Sequence, residues 1–232
     1  MWTKVSPESM LVGLGKKGCR TISSTVISGK LDMAPMSLAE NDLWSEQVGS
    51  VGMTQAGEIA NFGDETELVT PAIQQAMDNW LKSQNINASR RHAALPLACT
   101  GAGFHHDADS YRDEIFCVLW LSDDTPWDVY FPHLDKRIAL QYGTIFVFDS
   151  AQPHGVVLHG ETVFNEETFE YRTGVFVSQD LVIDRECQKL MGINKLSRHG
   201  RRNMHILNGE GLREDLSPET GAWSIRYYKS AT

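Results

Sequence analysis

Between about residues 90 and 183 the chain is a succession of short β-prone segments separated by turn residues, and this pattern restricts the fold more than any other feature. The spacing predicts strands near 91–99, 103–108, 114–121, 127–132, 136–140, 144–148, 154–158 and 170–183. Thr100-Gly101, Ser122-Asp123-Asp124, Tyr142-Gly143 and Gly160 supply turn chemistry between them. Strands this close together leave no room for crossover helices, so a sandwich or barrel is expected in place of a βαβ sheet. A count of eight is that of a jelly roll. The predicted class is therefore mainly β with flanking α-helices, a double-stranded β-helix. The expected organisation is a single domain over 1–232, with its core at about 90–183 between flanking segments 1–89 and 184–232.

The flanks carry the helices. Thr70 is a suitable N-cap and Pro71 a suitable first residue, since its missing N–H costs nothing there. Ile73, Ala76, Met77, Trp80 and Leu81 follow at helical spacing, one apolar face that would cover a sheet. A second short helix is expected from Arg185 to Met191, stopped by Gly192. Residues 1–65 give only hints of strands at Val26-Ile27 and Val48–Gly52. A basic run, Arg198 to Arg202, reads as a solvated loop, and Trp223–Tyr228 as a closing strand.

Composition narrows the function. A net charge of -9 opposes non-specific binding to nucleic acid or anionic membranes, and no aromatic-basic pattern for nucleic acid is present. Four scattered cysteines, Cys19, Cys99, Cys117 and Cys187, form neither a zinc motif nor a disulfide framework. No stretch approaches the roughly 18 apolar residues of a membrane span. Charged residues punctuate the N-terminus where a secretion signal would be apolar, so a cytoplasmic protein is expected.

The chemistry concentrates in Gly103-Phe104-His105-His106-Asp107. In a strand, His105 and Asp107 share a face and His106 takes the other. An imidazole and a carboxylate side by side are two thirds of the triad, two His and one carboxylate, that marks non-haem Fe(II) oxygenases. A later buried strand, Ile145 to Phe148, leads through Pro153 to His154, a third donor held by a stiff backbone.

These residues, with Tyr171-Arg172-Thr173 beyond them, resemble the Fe(II)/2-oxoglutarate-dependent dioxygenases: His-x-Asp, a Gly-containing strand, a distal His, then a basic residue on the last core strand. The resemblance covers about residues 90–180. It implies that His105, Asp107 and His154 hold Fe(II) and that Arg172 receives the far carboxylate of 2-oxoglutarate, a group its planar fork suits. It implies O2 as co-substrate and release of succinate and CO2. The double His leaves His105 or His106 as first ligand, with His105 favoured. Tyr111, Trp120, Trp127 and Tyr130 are candidates to line the pocket or the core, while His92, His133 and His159 are expected to be spectators. The substrate is open, with a small molecule favoured by the acidic composition. Two other classes compete: a His-Asp phosphohydrolase using His106-Asp107, which the β-rich flanks oppose, and a non-catalytic jelly roll binding a ligand or metal without 2-oxoglutarate.

Overall fold

Alternating apolar residues give each strand a face toward the other sheet and a face toward a helix or solvent, and the eight core strands build two sheets on that rule. The computed structural model describes every residue except 1, 16–17, 54, 64–66, 124, 169–171, 197–203, 208–211 and 228–232. In chain order the elements begin with β1 (Thr3–Lys4), β2 (Met10–Gly13), β3 (Cys19–Thr21), β4 (Ile27–Lys30), α1 (Leu38–Val51), β5 (Ile59–Asn61) and α2 (Pro71–Ser83). The core follows as β6 (Leu95–Cys99), β7 (Ala102–His105), β8 (Glu114–Trp120), β9 (Trp127–Phe131), β10 (Lys136–Leu140), β11 (Thr144–Phe148), β12 (His154–Leu158) and β13 (Gly174–Val182). The chain continues through α3 (Arg185–Met191), β14 (Lys195–Leu196), β15 (His205–Leu207), β16 (Leu212–Leu216) and β17 (Trp223–Tyr227).

One sheet runs β4-β11-β8-β13-β6-β5 and the other β10-β9-β12-β7. All pairings within these two sheets are antiparallel. Except at the β9–β10 hairpin, consecutive core strands cross from one sheet to the other, which is the winding of a double-stranded β-helix.

The faces sort by parity. On β8, Ile115, Cys117 and Leu119 join the cluster that α2 covers with Ile73, Met77, Trp80 and Leu81. Val118 and Trp120 instead join Val129, Leu140, Phe146 and Phe148 between the sheets. The Thr70 hydroxyl accepts from the Ile73 N–H at the start of α2, as its sequence predicts. At the end of α3, Gly192 takes the left-handed conformation (φ 65°) that stops a helix without steric penalty.

Three expectations are corrected. Val48–Gly52 is the end of α1, not a strand. That helix opens with a reciprocal capping box between Ser37 and Glu40, but only Trp44 on it is buried, so it lacks the apolar stripe that reveals a helix in sequence. The last core strand starts at Gly174, four residues later than expected. The first starts at Leu95, preceded by a single bridge from Arg90 to Leu181. The basic run 198–202, Tyr171 and Tyr228 lie outside the described residues.

The flanking segments complete two small sheets, β14-β3-β2-β15 and β1-β17-β16. Among the described residues no helix is long and apolar enough to cross a membrane.

Candidate metal centre

Two histidines meet where β7 ends and β12 begins. His105 and His154 are register partners across these antiparallel strands, and their ring centroids are 4.4 Å apart. Asp107 follows two residues after His105, its backbone N–H donating to the Ser150 carbonyl at 2.8 Å. Its Oδ2 lies 3.9 Å from Nε2 of His105 and 3.7 Å from Nε2 of His154. One ligand atom from each of the three lies within 4.8 Å of the others, a spacing that one cation can bridge.

Both imidazoles are oriented by backbone. Nδ1 of His105 is 2.8 Å from the Gly103 carbonyl, and Nδ1 of His154 is 2.9 Å from that of Gln152. A carbonyl only accepts, so each Nδ1 carries the proton and each Nε2 presents a lone pair to the centre. Burial, reinforced by His105, lowers the His154 pKa well below its ordinary value, which keeps that ring neutral and ready to ligate. Burial raises Asp107, against the opposing pull of His105 and His106. A cation would repay that cost directly.

The backbone that holds His154 is itself anchored. Asp149, fully buried, takes two hydrogen bonds from Arg20 at 2.6 and 3.0 Å and others from the N–H groups of Ser23 and Ala151. Gln152 donates to the Ser23 carbonyl at 2.9 Å. Arg20 belongs to β3, so the N-terminal flank braces the loop that delivers His154.

His106 is elsewhere: its ring packs 5.1 Å from that of Trp223, and its Nδ1 accepts from the Ala108 N–H at 3.4 Å. The structure thus brings together His105, not His106, with Asp107 and His154. A cavity of about 210 Å³ lies beside them between the sheets. Its walls are largely apolar, with Leu97, Val118, Phe146 and Phe148 among them, and Tyr111 and Trp120 also line it. Tyr130 faces away, its hydroxyl donating to Asp135 under the Arg137 guanidinium. Trp127 is core. Of the expected spectators, His133 donates to the Gly221 carbonyl and His159 to the buried Asp128.

Arg172 is the sequence-predicted residue that the structure does not bring to the centre. It is exposed and lines a separate groove with Trp44, Asp123 and Tyr142. Because β13 starts at Gly174, Arg172 precedes the ladder, and the strand alternation that would turn it inward does not reach it. Gly174 sits against the rings of Trp120 and Trp127, with which a Cβ there would collide. Among the described residues that line the triad cavity none is Lys or Arg. Two polar residues on the inner face of β13, Ser178 and Asp180, were not singled out in the sequence, although alternation from Phe176 places both there.

No family model and no curated protein matches the chain. Solved structures do. A viral collagen prolyl hydroxylase from Paramecium Bursaria Chlorella virus-1, in complex with 2OG, is 14% identical with a TM-score of 0.43, covering 66% of this chain and 94% of its own. A prolyl hydroxylase from Trichoplax adhaerens, bound to a hypoxia inducible factor peptide, is 12% identical with a TM-score of 0.44, covering 71% and 86%. A prolyl-4-hydroxylase from Pseudomonas putida is 13% identical with a TM-score of 0.43, covering 68% and 92%. Likenesses this remote add no weight to the functional reading, which rests on strand order and triad. In both of those features the chain resembles the Fe(II)/2-oxoglutarate-dependent dioxygenases.

Proposed function

We propose that the chain is a non-haem Fe(II) oxygenase acting on a small molecule, with His105, Asp107 and His154 as the metal ligands. One observation carries the reading: two imidazoles and one carboxylate converge, Nε2 lone pairs inward, beside an apolar cavity between the sheets. Nitrogen and oxygen donors without thiolate, in a set of three, suit an iron that must keep positions for O2 and a ligand. The residues present fit the metal, which would supply O2 activation. The protein supplies donor orientation, a largely apolar cavity and substrate placement.

2-Oxoglutarate is the first co-substrate to test, on the strength of the fold and of the order His-x-Asp then distal His. Its keto acid end needs only the metal. Its far carboxylate finds no cation among the described lining residues, and Asn61 and Ser178 offer neutral donors alone. The residues therefore do not fit that carboxylate as an ion pair. The same observation favours a second reading, an iron oxygenase that uses no keto acid.

Titration of 2-oxoglutarate into anaerobic Fe(II)-loaded protein separates the two. A weak visible charge-transfer band, lost in His105→Ala, Asp107→Ala and His154→Ala, supports the co-substrate. Iron binding without a band leaves the second reading. Loss of any one ligand is expected to weaken metal affinity by more than about 100-fold, since even partners that merely orient a ligand are worth about 10- to 100-fold. Iron that binds wild type no better than His154→Ala would overturn the metal centre itself.

A further inference from the structure

We infer that Asp180 receives a positively charged nitrogen on the substrate, making the cavity selective for a small organic cation with an apolar body. The inference rests on the triad holding a metal, because Asp107 then spends its charge on that ion. What remains in the cavity is one acid, Asp180, and no base among the described lining residues.

Asp180 stands on β13 directly opposite Phe116 of β8, on the inner face. It is 8% exposed and lines the same cavity as the triad. Its backbone carbonyl accepts from the Arg91 N–H, but no hydrogen bond or ion pair to its carboxylate is made by the described residues. The charged and titratable groups around it are Glu114, Arg91, His92, Asp107 and Tyr111. Glu114, which pairs with Val182 two register positions along the same ladder, is itself buried and takes the Arg91 guanidinium. Arg91 is thereby committed to one of two neighbouring carboxylates. His92 reaches the core through its carbonyl, which accepts from Gln179, and its side chain is exposed.

A carboxylate in this position is expensive. Burial, with Glu114 adding to it, pushes the Asp180 carboxyl above the ordinary range. A buried charge without a partner is tolerated when a ligand supplies one, and a cation entering the cavity would both pair it and cover apolar wall. Ser178, two residues away on the same face, adds a neutral hydroxyl to the same wall. An anionic substrate would meet Asp180 with no compensating cation.

The test uses Zn(II)-loaded protein, which is redox-inert, after metal uptake has been measured by itself. Three probes of matched shape are titrated by calorimetry: 2-phenylethylamine, 2-phenylethanol and 3-phenylpropionate. The amine is expected to bind about tenfold more tightly than the alcohol, the increment of a hydrogen bond to a charged group. That preference should vanish in Asp180→Asn and persist in Asp180→Glu. Equal affinity for amine and alcohol, a preference for the carboxylate, or no binding of any probe overturns the inference. So does an amine preference that survives in Asp180→Asn, since the metal would then be its partner. The ranking in wild type tests the inference even if Asp180→Asn fails to fold. Failure of Zn(II) to bind would sink the metal centre, and with it the premise that Asp107 spends its charge on an ion, a failure distinct from any ranking of the probes.

Discussion

The two ends of the barrel are built from the same strands and hold opposite chemistry. Where β7 finishes and β12 starts, His105, Asp107, His154 and Asp180 bring polar groups into the interior, braced from behind by the buried Arg20–Asp149 pair. Toward the start of β13, Trp120 stacks on Phe176 at 5.6 Å and meets Trp127 edge-on at 6.1 Å, with Gly174 leaving room for both rings. Every inward position along β8 and β13 is delivered by the same alternation, so the difference lies in residue choice alone. The aromatic end can carry stability that the metal end forgoes by burying acids, the division of labour expected when a site is held in a locally unfavourable state.

The sharpest way to break this contrast is from behind the metal end. Asp149→Ala leaves the Arg20 guanidinium buried without its partner and is expected to cost about 3–5 kcal/mol in urea unfolding. It should also weaken metal binding, because Ala151 and the loop to His154 lose their anchor. A stable variant with unchanged metal affinity would show that the loop holds itself. At the aromatic end, Gly174→Ala forces a methyl against Trp120 and Trp127 and should cost about 1–3 kcal/mol by overpacking, with metal affinity retained. Loss of metal binding there would mean that the two ends are coupled.

The smallest effect has the opposite sign. Asp180→Asn should stabilise the protein at neutral pH, because the folded-state pKa of Asp180 is raised and its ionised form is disfavoured by folding. The destabilisation from Asp180 grows as pH rises from the unfolded value through the folded pKa. The advantage of the variant should therefore shrink as the pH is lowered and wild type takes up the proton. Unfolding curves at several pH values check this, and an advantage that grows on acidification would contradict it.

Much of this arrangement is legible in the sequence where a periodic pattern meets a turn. The bounds of β10, β11 and β12 and of α3 coincide with those read from the residues, because each is short, apolar on one face and closed by Gly, Pro or Asp. His105 and His154 are legible for the same reason, through strand parity and Pro153, whereas Asp107 lies two residues beyond the end of β7 and is held by its N–H bond to the Ser150 carbonyl. The inward position of Asp180 follows from the same parity carried along β13 from Phe176. Arg172 has that parity too, but parity has no force outside the ladder. The Arg20–Asp149 brace was beyond reach, since nothing local in Cys19-Arg20-Thr21 indicates a partner 129 residues away. The helix α1 was hidden by its mixed faces, although Ser37-Leu38-Ala39-Glu40 spells a capping box.

The small sheet β14-β3-β2-β15 sets an order of assembly. β2 takes β15 as a parallel neighbour, and β3 takes β14 on its other edge, so both partners lie beyond the last core strand in the chain. Folding can close the eight-strand core, and bring the three candidate metal donors together, before either C-terminal partner strand docks. Until then the segment that carries Arg20 presents two unpaired strand edges, the kind of surface that joins other chains. Docking of the stretch from Asp184 to Leu207 thus becomes a determinant of yield, and a substitution that weakens it should send more of the protein to aggregates or to chaperones.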